Sequence, residues 1–221
     1  MGVAGEAWGW LADDANWAGE SGIWHRLGEH VYVSGTALGL ACAVALPVGL
    51  YLGHLGKGGA LAVNVSNIGR AVPVFAVLAL FMVSPLRNAG YLPTIAALVL
   101  FAVPPLLTNA YVGMREVDRA VVEAARGMGM SGVQLFFRVE LPLARGLVMT
   151  GLRSGAVQVV ATATIAAMVG QGGLGRIITA GFNTYNTAQV VAGALLVAAL
   201  ALLVEGALVA AERLLPRTAP R

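Results

Sequence analysis

Residues 118–142 read DRAVVEAARGMGMSGVQLFFRVELP, a charged interval between two long apolar runs, and the reading of this stretch decides how the chain is built. Val121, Val122, Ala124, Ala125 and Met128 give its first part an apolar helical face. Gly127 and Gly129 are expected to interrupt that helix, because glycine reaches backbone angles that other residues avoid. Ser131 with Gln134 three positions later has the form of a capping box that opens a second short helix. Pro142 marks the expected end of that helix, since the residue before a proline is driven out of the helical region. The expectation is a helix–turn–helix with apolar and basic faces, a docking knob between two membrane spans. The plainer alternative is an amphipathic connector lying on the lipid surface.

On either side the chain is strongly apolar: 58% of its residues are hydrophobic and 11% charged, far from the usual globular balance. Five runs are long enough to cross a bilayer, at about 31–53, 62–83, 92–111, 147–169 and 188–210. The expected fold is therefore an all-α integral membrane protein of five transmembrane helices, with the helix–turn–helix between the third and fourth. No large soluble domain remains to carry a catalytic core. The expected organisation is an interfacial segment at 1–28, a membrane domain at 29–212 and a basic tail at 213–221.

Each run has its own punctuation. Trp8, Trp10, Trp17 and Trp24 mark the first segment as an anchor at the membrane–water boundary on the outer face. It is acidic (Glu6, Asp13, Asp14, Glu20) and lacks the basic start of a cleavable signal peptide, so the first span is expected to be retained. In that span Gly35, Gly39 and Ala43 recur every four residues as a close-packing stripe, and Pro47 is tolerated if neighbours satisfy the freed carbonyl. Pro104 and Pro105 are expected to kink or break the third span. Thr162 and Thr164 place hydroxyls deep in the fourth span, and Gly170, Gly172, Gly173 and Gly175 open the backbone where it leaves. A role in a substrate path or gate and simple bonding to their own helix carbonyls are equal alternatives for the threonines. The glycine series lacks the Gly-Lys-Ser/Thr ending of a phosphate loop.

Basic residues favour the cytoplasm. Lys57, the loop residues Arg115, Arg119, Arg126, Arg138 and Arg145, and the tail residues Arg213, Arg217 and Arg221 fall on one side; Arg26, Arg87 and Arg176 fall on the other. That places the N-terminus outside, and the loop and C-terminus in the cytoplasm of a multi-pass inner-membrane protein. Arg70, Arg153 and Glu205 then lie toward the cytoplasmic ends of their spans. Glu205 is expected to pair with one of these arginines, because an unpaired intramembrane charge is expensive; simple snorkelling is the alternative.

Glu123-Ala124-Ala125, then Gly129, then Val139, Leu141 and Pro142 reproduce the spacing E-A-A-x3-G-x9-I-x-L-P, with Val139 in place of Ile. In this the chain resembles the permease subunits of binding-protein-dependent ABC importers. The stretches NIGRAVPVFAVLALF (67–81) and TATIAAMVGQGGLGRII (162–178) resemble the osmoprotectant branch of that family. The resemblance implies a type I importer permease that pairs with a second permease, identical or paralogous, and works with an ATP-binding subunit and an extracytoplasmic binding protein. It implies ATPase contact at Glu123, Ala124, Ala125, Arg126, Gly129, Leu141 and Pro142. It also implies substrates such as glycine betaine, carnitine, choline or proline betaine, with ATP hydrolysed on another subunit. Recognition of a quaternary ammonium needs an aromatic cage; the spans show none, so selectivity is expected to reside in the binding protein.

A methionine, phosphonate or other amino-acid permease of the same family would share the loop. An ion-coupled secondary transporter would call for intramembrane carboxylates and duplicated halves. A membrane scaffold would leave the loop spacing unexplained. His25, His30 and His54 form no ligand spacing with carboxylates or with Cys42, the single cysteine, and no nucleophile elbow or catalytic carboxylate pair occurs. No catalytic residue, metal, cofactor or nucleic acid is expected; the surrounding medium is the lipid bilayer.

Overall fold

A computed structural model describes residues 2–214, without the side chains of Val63 and Arg70; Arg217 and Arg221 of the tail lie outside the described residues. The described chain is all-helical. In order it forms α1 (Val3–Ala12), α2 (Ile23–Leu55), α3 (Gly59–Ala71), α4 (Val74–Val83), α5 (Leu92–Arg115), α6 (Arg119–Gly127), α7 (Gly132–Leu135), α8 (Leu141–Ala163), α9 (Gly175–Asn183) and α10 (Thr187–Leu214). Four helices are long and apolar enough to cross a membrane, or five if the bent pair α3–α4 is one span.

The bundle is centred on α5, which packs most extensively against α2 and α8. Its buried residues Leu98, Ala102, Leu106 and Leu107 meet Val33, Ala37, Ala41 and Ala45 of α2 and Val159 and Ala163 of α8. In a bilayer helices gain little from hiding apolar surface, so close backbone approach does the work. The packing stripe of α2 is accordingly Ala37, Ala41, Ala45, Gly49 and Gly53. The expected stripe is corrected: Gly35, Gly39 and Ala43 are exposed on the opposite face. Both series have the helical period, and close approach selects between them. A Cβ on Gly49 would lie 2.6 Å from the Leu107 carbonyl oxygen, and one on Gly53 2.5 Å from the Met114 Cβ, whereas Gly35 and Gly39 have nothing of this chain within 4 Å.

Pro104 and Pro105 do not break the third span. Helix α5 runs unbroken through Pro104 and Pro105; the Asn109 side-chain amide donates to the Pro105 carbonyl at 2.8 Å, and the Pro104 ring fills the space where Gly69 lacks a side chain. The break lies one span earlier. Val72 is extended, as the residue before Pro73 tends to be, and the chain turns by 81° between α3 and α4.

Pro142 does not end a helix either. Residues Gly132–Val169 form one continuous helical rod. Ahead of the proline, Phe136–Glu140 widen into a π turn in which the Leu141 N–H reaches the Phe136 carbonyl. The wider turn accommodates a residue with no N–H to donate. The fourth span thus begins inside the loop, and its last turn, Thr164–Val169, tightens to a 3-10 helix.

Helix α2 already begins at Ile23, ahead of the first apolar run. Ahead of it, α1 lies against α10. Trp10, Leu11 and Trp17 pack with Ile23, Ile177, Leu196 and Leu200, and the Trp17 indole N–H donates to the Leu11 carbonyl at 2.7 Å.

Candidate functional site

At one end of the bundle the 118–142 segment folds as a two-helix hook. Asp118 caps α6 by accepting from the Ala120 N–H at 2.9 Å. Gly127 stays within α6, and the turn comes at Gly129 alone, whose φ is +82°. That left-handed value lets the Met130 N–H reach back to the Ala125 carbonyl, a glycine C-cap. Ser131 and Gln134 then form the reciprocal capping box that opens α7.

The hook has two faces. Val122, Ala125 and Leu135 turn inward onto Met114, Val117 and Ala144, with Leu50 and Val148 alongside. Ala125 therefore meets this chain's own core and is buried, which leaves it no surface for another protein. Glu123, Ala124, Arg126 and Gly129 face outward, while Leu141 and Pro142 are half-buried at the root of α8. Beside the outward residues stand Met128, 77% exposed, Val133, 68%, and Phe137, 61%. Exposed apolar side chains outside the apolar spans, with Arg126 and Arg138 exposed on the same segment, are the kind of surface that a partner can cover. The spacing motif does not include these three residues.

The opposite end is organised by Glu29 of α2. Its carboxylate accepts from the Gly173 N–H at 2.9 Å, the Tyr91 hydroxyl at 2.5 Å and Arg26 at 2.8 Å. The hydrogen bond to Glu29, with burial behind it, pushes the Tyr91 hydroxyl up to about 12, so it remains a donor at any physiological pH. Next to it buried His30 accepts the Leu174 N–H on Nδ1 and donates from Nε2 to the Val160 carbonyl. A Cβ on Gly172 would lie within 2.5 Å of the Glu29 carboxylate, and Gly173 has φ +92°. The glycine turn is thus seated on α2. Thr164 is near it, with a buried hydroxyl that finds no partner among the described residues; Gly170 turns the chain at φ +85°, and Thr162, two residues before Thr164, is half-buried. Replacing Tyr91 with Phe is expected to lower stability by about 1.5–3 kcal/mol, the range for a hydrogen bond to a charged group, read as an earlier thermal transition in detergent.

Around this hub Arg26, Arg87 and Arg176, drawn from α2, the α4–α5 loop and α9, line one open cavity of about 320 Å³ with Glu29 and Gln171. Arg26 is bound to Glu29, while Arg87 and Arg176 are exposed.

Within the membrane region Arg153 of α8 reaches Glu205 of α10 at 2.6 Å and Glu212 at 3.3 Å. The structure brings Arg153 and Glu205 together; the Arg70 side chain lies outside the described residues. Thr150, Ser154 and Gln158 line the same cleft of about 450 Å³, together with Val157, Ala201 and Leu202. The three polar residues recur at helical spacing in α8, a signal that Arg153 alone did not reveal.

The profile of a family described as "Binding-protein-dependent transport system inner membrane component" matches residues 45–216. The chain is 36% identical over 189 residues to the glycine betaine/carnitine/choline transport system permease protein OpuCB of Bacillus subtilis (strain 168), covering 86% of each chain. It is 40% identical over 190 residues to the carnitine transport permease protein OpuCB of Listeria monocytogenes, again covering 86% of each. Its fold matches a chain of the MetNI methionine ABC transporter in an inward-facing conformation, with a TM-score of 0.76 and 23% identity over 88% of this chain and 96% of that one.

Proposed function

The chain belongs to the binding-protein-dependent transport system inner membrane components, and from that premise we propose that it is the permease of an ATP-driven importer of quaternary ammonium osmoprotectants such as glycine betaine, carnitine or choline. The observation that carries the reading is the hook: one face packed beneath α2, α5 and α8, the other presenting Met128, Val133 and Phe137 outward. A separate ATP-binding subunit grips that outer face, and its closure tilts the spans between inward- and outward-facing states. The permease itself catalyses nothing. Glu123 and Arg126 set the register of the grip by charge. The substrate class is supported by the relatives' names, and selectivity resides mainly in an extracytoplasmic binding protein. A second permease, identical or paralogous, completes the pathway beside the cleft at Arg153 and the threonines at the far end of α8.

The N-terminus is outside and the C-terminus cytoplasmic. In support, Arg26, Arg87 and Arg176, the basic residues of the sparse side, gather at the end opposite the hook. That cavity is where the binding protein docks, through acidic side chains. Arg87→Glu and Arg176→Glu are each expected to weaken its association about tenfold, chiefly by slowing encounter, and wild-type association should weaken as salt is raised. Surface plasmon resonance on the nanodisc-embedded complex reads both.

Uptake into proteoliposomes tests the whole reading. With ATP inside, ATPase and binding protein present, radiolabelled glycine betaine should accumulate and methionine should not. Accumulation of methionine instead would move the chain to another branch of the family, and ATP-independent uptake would remove the motor from the account.

A further inference from the structure

Glu140 is a carboxylate with 2% of its surface exposed, placed in the π turn between the hook and the fourth span. Its partner is His54, the penultimate residue of α2, which is 86 positions away. A carboxylate only accepts hydrogen bonds, so Nδ1 of His54 carries the shared proton. The imidazole is also held by the edge of Phe136, with ring centres 5.4 Å apart. The core of the hook's seat is apolar: Val122, Ala125 and Leu135 pack on Met114, Val117 and Leu50. Apolar surfaces slide against one another at little cost, whereas a buried carboxylate separated from its bonded partner is strongly penalised. The π turn and the cytoplasmic end of α2 are therefore tied at a buried polar point.

We propose that His54 and Glu140 form the strut through which displacement of the hook is passed to α2, making them positioning residues for coupling ATP hydrolysis to transport. The proposal rests on the reading of the hook as the ATPase contact and adds which span it drives. The pair stays closed through the cycle. The hook and α2 move as one body, and α2 carries the movement to Glu29 and the glycine turn at its far end, 25 residues along the same helix. Of the charged residues on the elements that meet here, Arg115 of α5 lies beside Gly56, Lys57 follows in the α2–α3 turn, and Arg138 and Arg145 are on the rod that carries Glu140.

The test uses the complete importer in proteoliposomes and reads radiolabelled glycine betaine taken up per ATP hydrolysed. Glu140→Ala and His54→Ala should each retain the bound ATPase and hydrolysis within about twofold while the ratio falls about tenfold. Glu140→Gln, which keeps an acceptor for Nδ1, should recover it to within about threefold. The double variant H54A/E140A should be no worse than either single one, because both remove the same link. An unchanged ratio in Glu140→Ala overturns the strut, as do additive losses, or uptake and hydrolysis falling in proportion as for a misfolded chain. If Glu140→Ala is not recovered in the membrane, His54→Ala, at a helix end, gives the same reading. Failure of the hook assignment is separable: substitutions at Met128 or Phe137 would then leave the ATPase bound and coupled, whatever the strut variants do.

Discussion

Replacing Phe137 with Asp is expected to reduce uptake at least a hundredfold and to release the ATP-binding subunit, while the chain itself still folds and inserts. Phe137 is mostly exposed and rests only edge-on against Phe136, ring centres 4.8 Å apart, so its removal takes little from the core. In a partner's groove the same ring would be a buried aromatic anchor, the type of residue whose truncation costs 2 kcal/mol or more. A carboxylate in its place adds a desolvated charge without a partner. A combined loss of about 3 kcal/mol corresponds to roughly a hundredfold in affinity. Co-purification of the ATPase and uptake in proteoliposomes read the two effects. Gly129→Asp is a poorer probe of the same contact, since at φ +82° any side chain strains the turn before a partner is met.

The second large effect concerns folding. Gly49→Leu should leave little properly folded protein in the membrane, whereas Gly35→Leu, nearly four helical turns away at an exposed position of α2 with nothing of this chain within 4 Å, should fold as well as the parent. At Gly49 the first added atom would sit 2.6 Å from the Leu107 carbonyl and 2.9 Å from the Ala110 Cβ, and neither can retreat without moving α5. Overpacking of a filled interface costs about 1–3 kcal/mol and sometimes more, here at the helix pair with the most extensive contact in the bundle. Fluorescence-detected size-exclusion chromatography and thermal transitions in detergent distinguish the two variants. Equal loss in both would mean that the exposed face of α2 is also needed for the chain's own folding.

Much of this was open to reading in the sequence. Apolar runs of membrane-crossing length need no partner to be recognised, and the hook announces itself through Asp118, Gly129 and the Ser131–Gln134 box, all local signals. What the sequence withheld depends on which neighbour a residue meets. Two four-residue stripes on α2 have equal periodicity, and only the approach of α5 selects Ala37 to Gly53 over Gly35 to Ala43. Pro104 and Pro142 carry the same local penalty as Pro73, yet the Pro104 ring is seated against Gly69, Pro142 follows a π turn, and the break in the chain comes at Pro73. The links from Glu29 to Gly173 and from His54 to Glu140 span 144 and 86 positions; no motif spacing encodes them. Ala125 stands in the recognisable spacing motif, but its place there reflects packing under α5 and not an outward contact.

The central claim is that the outer face of the hook is held by a separate motor protein on the cytoplasmic side. A photo-crosslinking amino acid at position 133, beside Met128 and Phe137, tests it in intact cells. The account predicts one dominant adduct with the ATP-binding subunit, altered in yield when ATP is depleted. Adducts with lipid alone, or with a protein on the outer surface of the membrane, would contradict it.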